Sequence, residues 1–562
     1  MVPGNAEPVL RIELPNQTPN SSAESSREAA FAGSTRTRKE PGRGRLVGIV
    51  GILTVLVAVF GYIREAVFAV RFGISSVSDA YFGAILIPNI LYAVLVTGTL
   101  SPVLVPILLH DDAERDRLQQ ADTFSVVTSF IAALLISTVG ISLLTMRWWL
   151  PLLFSGFSPA TLKLTADLLY MILPGLVFLG LSGVLTAALN TFHKFAMAAI
   201  APAVSSTVII LAIMLAPEKN AIYVVGLSVA VGFFLQALVL VPSVAKLGIR
   251  YRPTLNFRHP AIPKLLRLGI PLFLYLMVSN GAMFIERNLA SRISAGAVAT
   301  LSYALRLFLV PANFLASPLA TVAYPHFARE ALRDKLGDLR AEVSKVLRMV
   351  VFLFLPATVW VILNALPVTR LLYEHGKFGF ADSLLTARVL AVYSLGILPY
   401  ALAMIVLRCL YALQDTAIPL WVELGALVYY TVSAIVLAGH FGLLGLILAR
   451  STEFILVSAA LFIVLHQRLG LRAPGRDTVS FLIRAICASL AMGAVLWLNS
   501  YVVLSRFAAV STVSRLIIVF VQLAVGAAVY VLLALLFKLR EAHQAVSMLR
   551  NMIETAKANV RG

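Results

Sequence analysis

Long apolar stretches, separated by short polar segments, follow one another from residue 46 almost to the end of the chain. A helix needs about 20 apolar residues to cross the hydrocarbon core of a bilayer, so each stretch is a candidate membrane span. None of them shows the ten-residue alternation of an outer-membrane barrel strand. The pattern therefore predicts an all-α polytopic membrane protein with 14 transmembrane helices, at 46–72, 78–109, 123–146, 165–190, 195–216, 221–245, 266–291, 296–324, 346–367, 385–413, 417–438, 441–466, 482–504 and 513–537.

Composition agrees with a place in the bilayer. Of the 562 residues, 59% are hydrophobic and 13% are charged, and the mean hydropathy is +0.89; soluble domains are about half apolar and a quarter charged. The net charge of +19 would favour nucleic acid only on the basic face of a water-soluble domain. Cys409 and Cys487 form no metal-binding or redox motif. We expect no nucleic-acid partner and no cofactor, and metal binding is undetermined.

The polar segments predict the topology. Residues 1–45 are rich in Ser, Pro, Gly and charge, which predicts a disordered tail without a signal peptide. The basic end of this tail and the basic loops at 110–121, 246–267, 325–348 and 467–480 alternate with less basic loops, so both termini are predicted to be cytoplasmic. The acidic cluster HDDAERD at 110–116 is interpreted as a solvated loop rather than an enzyme site.

Spans two and eight resemble each other. Each starts near an aromatic residue and contains a proline, Pro88 or Pro311, followed by small residues and a second proline, Pro106 or Pro325. Such repeats are typical of transporters with a binding site between two halves. We predict two pseudo-symmetric six-helix lobes plus two C-terminal helices, with boundaries at 1–45 (tail), 46–245 (first lobe), 246–466 (second lobe), 467–540 (two last helices) and 541–562 (C-terminal tail).

Charges within the spans are the candidate functional residues, because ionisable groups at membrane depth usually line a pathway. Arg64 and Arg306 lie near a helix middle or a mid-helix proline in equivalent halves, which predicts that both line one cavity. A guanidinium can hold phosphate oxygens in a bidentate manner, so this pair suits a diphosphate. Glu65 and Asp79 are predicted to orient or gate the arginines, and a helix-capping role for Asp79 stays open.

Later spans carry further charges. Arg450 and Glu453 are three residues apart in one span, and this spacing favours a local ion pair. Glu286 and Arg287 lie in the second half of span seven, much as Arg64 and Glu65 lie in span one.

Five segments, spread in order over about residues 45 to 540, resemble the MurJ/MviN lipid II flippase family. They are GYIREAVFAVRFGISSVSDAYFGAILIPNIL (61–91), ALNTFHKFAMAAIAPA (188–203), LSYALRLFLVPANFLASPLATVAYPHFA (301–328), LLYEHGKFGFADS (371–383) and LYALQDTAIP (410–419). The resemblance implies the fold of the multidrug/oligosaccharidyl-lipid/polysaccharide exporter superfamily, with a groove for a polyprenyl tail on the last two helices. It implies that Arg64, Glu65, Asp79 and Arg306 bind the substrate. Glu286 loosely matches a carboxylate that binds sodium in some members.

The resemblance also implies a transporter rather than an enzyme. Its expected function is to move a polyprenyl-diphosphate-linked peptidoglycan precursor, lipid II, from the inner to the outer leaflet of the bacterial cytoplasmic membrane by alternating access. Coupling to the membrane potential, Na⁺ or H⁺, the oligomeric state and binding of cell-wall synthesis proteins are left open.

Two alternatives stay open. Relatives usually carry charged residues at the positions of Ala58, Tyr92, Ala93 and Thr97, so the substrate could instead be an undecaprenyl-diphosphate-linked exopolysaccharide or O-antigen unit. A non-transporting membrane scaffold for cell-wall synthesis is the alternative of another class.

Overall fold

A computed structural model of the protein describes residues 43–97, 117–192, 194–248, 251–254, 256, 258–332, 336–415, 417–470, 475–506 and 511–543. These ranges contain helices and no strands. The predicted tail, apart from Arg43–Arg45, the 110–116 cluster and most of the C-terminal tail lie outside the described residues. The chain divides into two units, residues 1–52 and 53–562, and every contact below lies within the second.

Within the described ranges, the first half of the chain forms helices α1 to α7. They are α1 (Arg43–Phe72), α2 (Ser76–Tyr92), α3 (Arg117–Leu153), α4 (Pro159–Ile172), α5 (Gly175–Thr191), α6 (Phe195–Leu215) and α7 (Ala221–Ala245). Apolar sequences of this length become helices because a helix satisfies every backbone polar group without water.

The second half forms helices α8 to α14, and two more helices follow it. They are α8 (Ala261–Ile293), α9 (Ala297–Pro311), α10 (Ser317–Leu332), α11 (Leu336–Tyr373), α12 (Phe380–Ser394), α13 (Ile397–Ala412), α14 (Ala417–Leu469), α15 (Arg476–Arg506) and α16 (Thr512–Leu536).

The all-α membrane class is confirmed, whereas the number of spans stays a prediction. Among the described residues, 10 helices are long and apolar enough to cross a membrane, or up to 12 if each bent pair is one span. The 53-residue α14 counts once in that number, although its backbone breaks at Gly442, where φ is 58°. This break follows the polar pair at 439–440 that separates two predicted spans.

Two irregularities occur in both halves. The pairs α4–α5 and α12–α13 are each bent by 44° at a short break. The π-helical segment Ala93–Thr97 follows α2, which contains Pro88, and the π-helical segment Ala312–Ala316 follows α9, which ends with Pro311. Such π segments are rare and frequently mark functional sites. The shared irregularities support the predicted repeat, in which α2 corresponds to α9.

The last two helices pack on α11 of the second half. Phe352 of α11 and Tyr530 of α16 are buried together, and the Tyr530 hydroxyl donates to the Phe352 carbonyl at 2.8 Å. At the other end of α16, Arg515 donates to a carboxylate oxygen of Glu374 at 2.8 Å. Partial burial raises the pKa of Glu374, but hydrogen bonds from Arg370 and Ser383 and the charges of Arg370 and Arg515 outweigh it and hold that pKa below its ordinary value. Helix α16 is therefore fixed near both of its ends.

Candidate functional site

Arg64 and Glu65 form an ion pair on α1, with 2.9 Å between Nη2 and Oε1. Their side chains keep 19% and 14% of their surface exposed, so both are largely but not completely buried. Tyr81 of α2 and Tyr373 of α11 interact electrostatically with Glu65. The pair thus lies where α1, α2 and α11 meet.

Arg306 of α9 lies against the backbone of α1. A Cβ atom at Gly61 would lie 2.6 Å from Nη2 of Arg306, so the absence of a side chain there gives the guanidinium its space. The centre of this guanidinium is 5.2 Å from the ring centre of Tyr62, within cation–π range. Its Nε is buried and has no hydrogen-bond partner among the described residues. Arg306 is thus positioned by packing, with donor capacity left for an anion.

Arg64, Glu65 and Arg306 come together on one side of α1. Gly61, which Arg306 contacts, precedes Arg64 by three residues and Glu65 by four, and residues at these spacings share a helix face. Tyr373 interacts electrostatically with both Glu65 and Arg306. The two halves therefore each contribute one arginine to the same region, which we call the arginine site: Arg64, Glu65 and Arg306.

Buried aromatic rings separate the arginine site from the nearby end of α1. Tyr81 stacks on Phe68 with 4.3 Å between ring centroids, and Tyr303 lies 5.0 Å from Tyr373 and 5.4 Å from Phe378. Large rings of this kind fill space and exclude water. The arginine site is accordingly closed on this side.

Asp79 makes its hydrogen bonds with the start of α9, and Arg287 of α8 interacts with it electrostatically. Its two carboxylate oxygens accept hydrogen bonds from the backbone N–H groups of Gly296, at 2.5 Å, and Ala299, at 2.8 Å. The side chain is 1% exposed. A carboxylate at a helix N-terminus satisfies otherwise unpaired N–H groups and interacts favourably with the helix dipole. Asp79 of the first half therefore caps a helix of the second half.

Two glycines bring the halves into backbone contact beside Asp79. The N–H group of Lys377 donates to the Val70 carbonyl at 2.8 Å. Gly73 and Gly376 both have φ of +59°, and an added Cβ would lie 2.7 Å from the Lys377 oxygen or 2.3 Å from the Val70 oxygen. Only glycine fits this backbone conformation and this spacing. We call these contacts the junction: Val70, Gly73 and Asp79 with Gly296, Ala299, Gly376 and Lys377.

A second set of contacts joins the end of α3 to the end of α8. The amide of Asn288 donates to the carbonyls of Leu152, at 2.7 Å, and Leu153, at 3.1 Å. The N–H group of Gly156 donates to the Ser291 hydroxyl at 3.1 Å. In addition, Arg71 of α1 donates to the carbonyls of Ile213 and Ala216 at the end of α6.

Glu286 belongs to a different, buried cluster in the second half. It is 1% exposed, accepts a hydrogen bond from the Tyr393 hydroxyl at 2.9 Å, and lies 3.9 Å from Nε of Arg450. Arg450 also pairs with Glu453 at 2.8 Å, so the local pair predicted from their spacing is present. The second oxygen of Glu286 is buried without a hydrogen-bond partner among the described residues. The predicted ion-coupling residue therefore has a protein cation beside it.

A family model described as "Lipid II flippase MurJ" matches residues 68–550. The chain belongs to the MurJ family. The match covers most of the described helices, including Asp79, Glu286 and Arg306.

Curated relatives agree with this membership. The lipid II flippase MurJ of Burkholderia cenocepacia is 29% identical over 454 residues, which are 79% of this chain and 87% of the relative. A probable lipid II flippase MurJ of Vibrio cholerae is 28% identical over 80% of this chain and 88% of its own length.

Solved structures show the same fold. A lipid II flippase MurJ in an inward closed conformation matches with a TM-score of 0.74 and 25% identity, covering 87% of this chain and 98% of that chain. An inward-facing multidrug transporter of the MATE family, in the MOP superfamily, matches with a TM-score of 0.60 and 15% identity over 75% of this chain and 98% of its own. The second match concerns the fold alone.

Some residues of the candidate site were not predicted from the sequence. Gly61 and Tyr373 carry no local signal, because a glycine and a tyrosine in apolar helices are ordinary residues. Arg450 was predicted to pair only with Glu453, and its proximity to Glu286 depends on the packing of α14 against α8. The contact of Arg306 with Gly61 is likewise a consequence of packing between the halves.

Proposed function

We propose that this chain moves lipid II from the inner to the outer leaflet of the bacterial cytoplasmic membrane by alternating access. The observation that carries the proposal is the arginine site, in which Arg64 of one half and Arg306 of the other converge beside the junction. Membership of the MurJ family and the names of its relatives support the choice of substrate.

The arginine site suits the diphosphate of the substrate. Guanidinium groups from two directions can each bind phosphate oxygens in a bidentate manner, and partial burial strengthens these charge-assisted hydrogen bonds. Glu65 holds Arg64 in place through the 2.9 Å ion pair until the diphosphate arrives. Because the two arginines belong to different halves, the bound diphosphate would draw the halves together and bias their relative position.

The junction suits a gate. On the predicted topology, with a cytoplasmic N-terminus, α1 ends at the periplasmic side, so the junction closes that side. Ala299 precedes Arg306 by seven residues, which places the Asp79 cap about 10 Å along α9 from the arginine site. In our proposal the cap breaks when the substrate is released outwards and forms again when the empty site returns.

The last two helices, α15 and α16, are proposed to hold the polyprenyl tail of the substrate. Exposed apolar side chains on both helices support this, among them Leu490, Trp497, Phe520 and Leu532, each at least 58% exposed. Their packing on α11, which also carries Tyr373, connects the proposed tail surface to the helix next to the arginine site.

Complementation of cells depleted of their lipid II flippase tests the proposal. We expect this chain to restore growth and to restore the appearance of lipid II in the outer leaflet, measured by an enzyme that modifies only outward-facing lipid II. Depleted cells that carry an empty vector are the negative control, and they should not be rescued. Failure to expose lipid II, with the chain present in the membrane at normal abundance, would contradict the proposal.

The same assay separates the alternatives. An exopolysaccharide flippase would leave lipid II unexposed and restore export of the polysaccharide unit in a strain that lacks that flippase. A scaffold would support growth only while another protein flips lipid II.

We further propose that Glu286 is balanced by Arg450 rather than by a bound sodium ion. Arg450 lies between Glu286 and Glu453, and a fixed guanidinium at 3.9 Å occupies the position in which a metal cation would be attracted. Translocation in vesicles is therefore expected to be unchanged when choline replaces Na⁺. The variant Glu286→Gln, which leaves the Arg450–Glu453 pair in place, is measured under the same two conditions. A wild-type rate that falls in choline would refute this part of the proposal.

A further inference from the structure

Each half of the protein contains a largely apolar cavity in the equivalent place. One, of about 720 Å³, is lined by α3, α5 and α7 of the first half. The other, of about 500 Å³, is lined by α11, α13 and α14 of the second half. These are the third, fourth and sixth spans of each predicted repeat, so the cavities are related by the repeat. Volumes of this size are typical of small-molecule sites.

In each half, the segment that follows the sixth span covers the cavity. Tyr251 lines the first cavity, and its hydroxyl lies 3.0 Å from the Ser129 hydroxyl of α3. Thr478, Phe481 and Leu482 at the start of α15 line the second cavity.

The two cavities differ in the chemistry of their polar lining. The first has the neutral Thr128 and Tyr251, whereas the second adds the basic side chains of Arg348 and His466 to its neutral polar residues. Arg348 also pairs with Glu541 at 2.6 Å and lies 4.5 Å from the Phe481 ring centre, so it is fixed in position.

A further arginine lies near the second cavity. Arg340 precedes Ser344 and Arg348 by four and eight residues on α11, so the three share one helix face. A Cβ added at Gly470 would lie 3.2 Å from Nη2 of Arg340. Gly470 directly follows α14 and lies about one helical turn beyond His466. The Nε of Arg340 is buried and has no hydrogen-bond partner among the described residues. Two basic residues therefore line this largely apolar cavity, and a third with an unused buried donor lies one turn from its lining residue Ser344.

We infer that the cavity between α11, α13, α14 and α15 binds an anionic phospholipid, with an acyl chain in the cavity and the phosphate at Arg340, Arg348 and His466. An amphiphile with a negative head and an apolar chain matches both parts of the site. Basic pockets between membrane helices on the cytoplasmic side are suited to anionic lipid head groups. On the predicted topology these basic residues face the inner leaflet, which supplies such lipids.

This site is separate from the arginine site. Its lining includes no residue of α1 or α9, which carry Arg64 and Arg306. A phospholipid bound there contacts the helices of the second half and α15 and would stabilise their packing whether or not the transported lipid is bound. The inference does not depend on the proposed translocation, so each can fail alone.

Lipid retention by the purified full-length protein tests the inference. The protein is delipidated and then titrated with phosphatidylglycerol or with phosphatidylcholine of the same acyl chains. Native mass spectrometry measures how much of each lipid remains bound to the intact protein. We expect tighter binding of phosphatidylglycerol, by about fivefold for each basic group that contributes. Ala459→Trp, which fills the cavity, should abolish this tighter binding. Arg340→Gln combined with His466→Gln should bring phosphatidylglycerol down to the level of phosphatidylcholine, and it leaves the Arg348–Glu541 pair intact.

The equivalent cavity provides the matched control. Ala132 lines the cavity of the first half, so Ala132→Trp fills the neutral site and should leave the phosphatidylglycerol preference unchanged. Equal binding of the two lipids by the wild-type protein would overturn the inference, as would equal retention by Ala459→Trp and Ala132→Trp. Complete displacement of phosphatidylglycerol by added lipid II would assign the cavity to the transported lipid and would also overturn it.

Discussion

Replacing Arg306 with Ala is expected to abolish rescue of flippase-depleted cells. The substitution removes a guanidinium whose charge-assisted hydrogen bonds to a diphosphate are worth about 1.5–3 kcal/mol, or roughly a ten- to hundredfold loss in affinity. Arg64→Ala should have at least this effect, because it also leaves Glu65 without its partner. The measurements are growth, exposure of lipid II in the outer leaflet, and abundance of the variant in the membrane.

Two further variants separate binding from a general structural effect. Arg306→Lys keeps the charge but loses the planar pair of donors, so we expect partial activity. Gly61→Leu keeps Arg306 but fills the space that its Nη2 occupies, and it should lower activity by moving the guanidinium. Arg147→Ala serves as the control, since Arg147 also lies over an aromatic ring, at 4.2 Å from the Trp148 centre, but on the exposed end of α3. Full activity of both Arg64→Ala and Arg306→Ala would exclude the proposed diphosphate site.

Asp79→Asn is expected to shift the protein towards a state in which the junction is open. The substitution replaces one of the two acceptor oxygens by an NH₂ donor, so one of the N–H groups of Gly296 and Ala299 loses its present acceptor, and the negative charge that stabilises the start of α9 is removed. A lost hydrogen bond to a charged group is worth about 1.5–3 kcal/mol, or roughly a ten- to hundredfold change in the ratio of the two states. Because transport needs both states, translocation should slow as well.

A cysteine at Ser302 measures this shift. Ser302 precedes Arg306 by four residues and shares its helix face, so its labelling by a membrane-impermeant maleimide from outside reports access to the arginine site. Cys409 and Cys487 are replaced by Ser in this background. Faster labelling is expected with Asp79→Asn. The control is Ser75→Ala, which removes the cap of α2, a 3.2 Å bond from the Ser78 N–H group, without touching α9. Identical labelling rates in Asp79→Asn and the parent protein would rule out a gating role.

The predicted repeat relates the arginine site and the junction to each other. In the predicted repeat α2 and α9 are equivalent helices, and each contains a proline followed by a π-helical segment. Asp79 at the start of α2 caps the start of α9, so the equivalent helix ends of the two halves meet at the junction. A change at this contact can therefore alter the relative position of the halves, which is the kind of motion that alternating access requires.

Several conclusions could be predicted from the sequence alone because they depend on local properties. Runs of apolar residues predict membrane helices wherever they occur, since each run must satisfy its own backbone in lipid. The distribution of Lys and Arg predicts sidedness in the same local way. Arg64, Glu65, Asp79, Glu286 and Arg306 stood out because a charge within an apolar run is costly.

The roles of those charges were decided by packing between distant segments. The resemblance assigned Asp79 to substrate binding, and only the structure shows that its carboxylate accepts a hydrogen bond from Gly296, which is 217 residues away. Glu286 matched an ion-coupling residue, yet Arg450 from another helix lies beside it. Arg306 lies against α1 at Gly61, where an added Cβ would come within 2.6 Å of its Nη2. Hydropathy and charge determined which helices form and which residues are unusual, because each depends on neighbours in the chain. Only the tertiary structure decided which charges meet, because that depends on how separate helices pack.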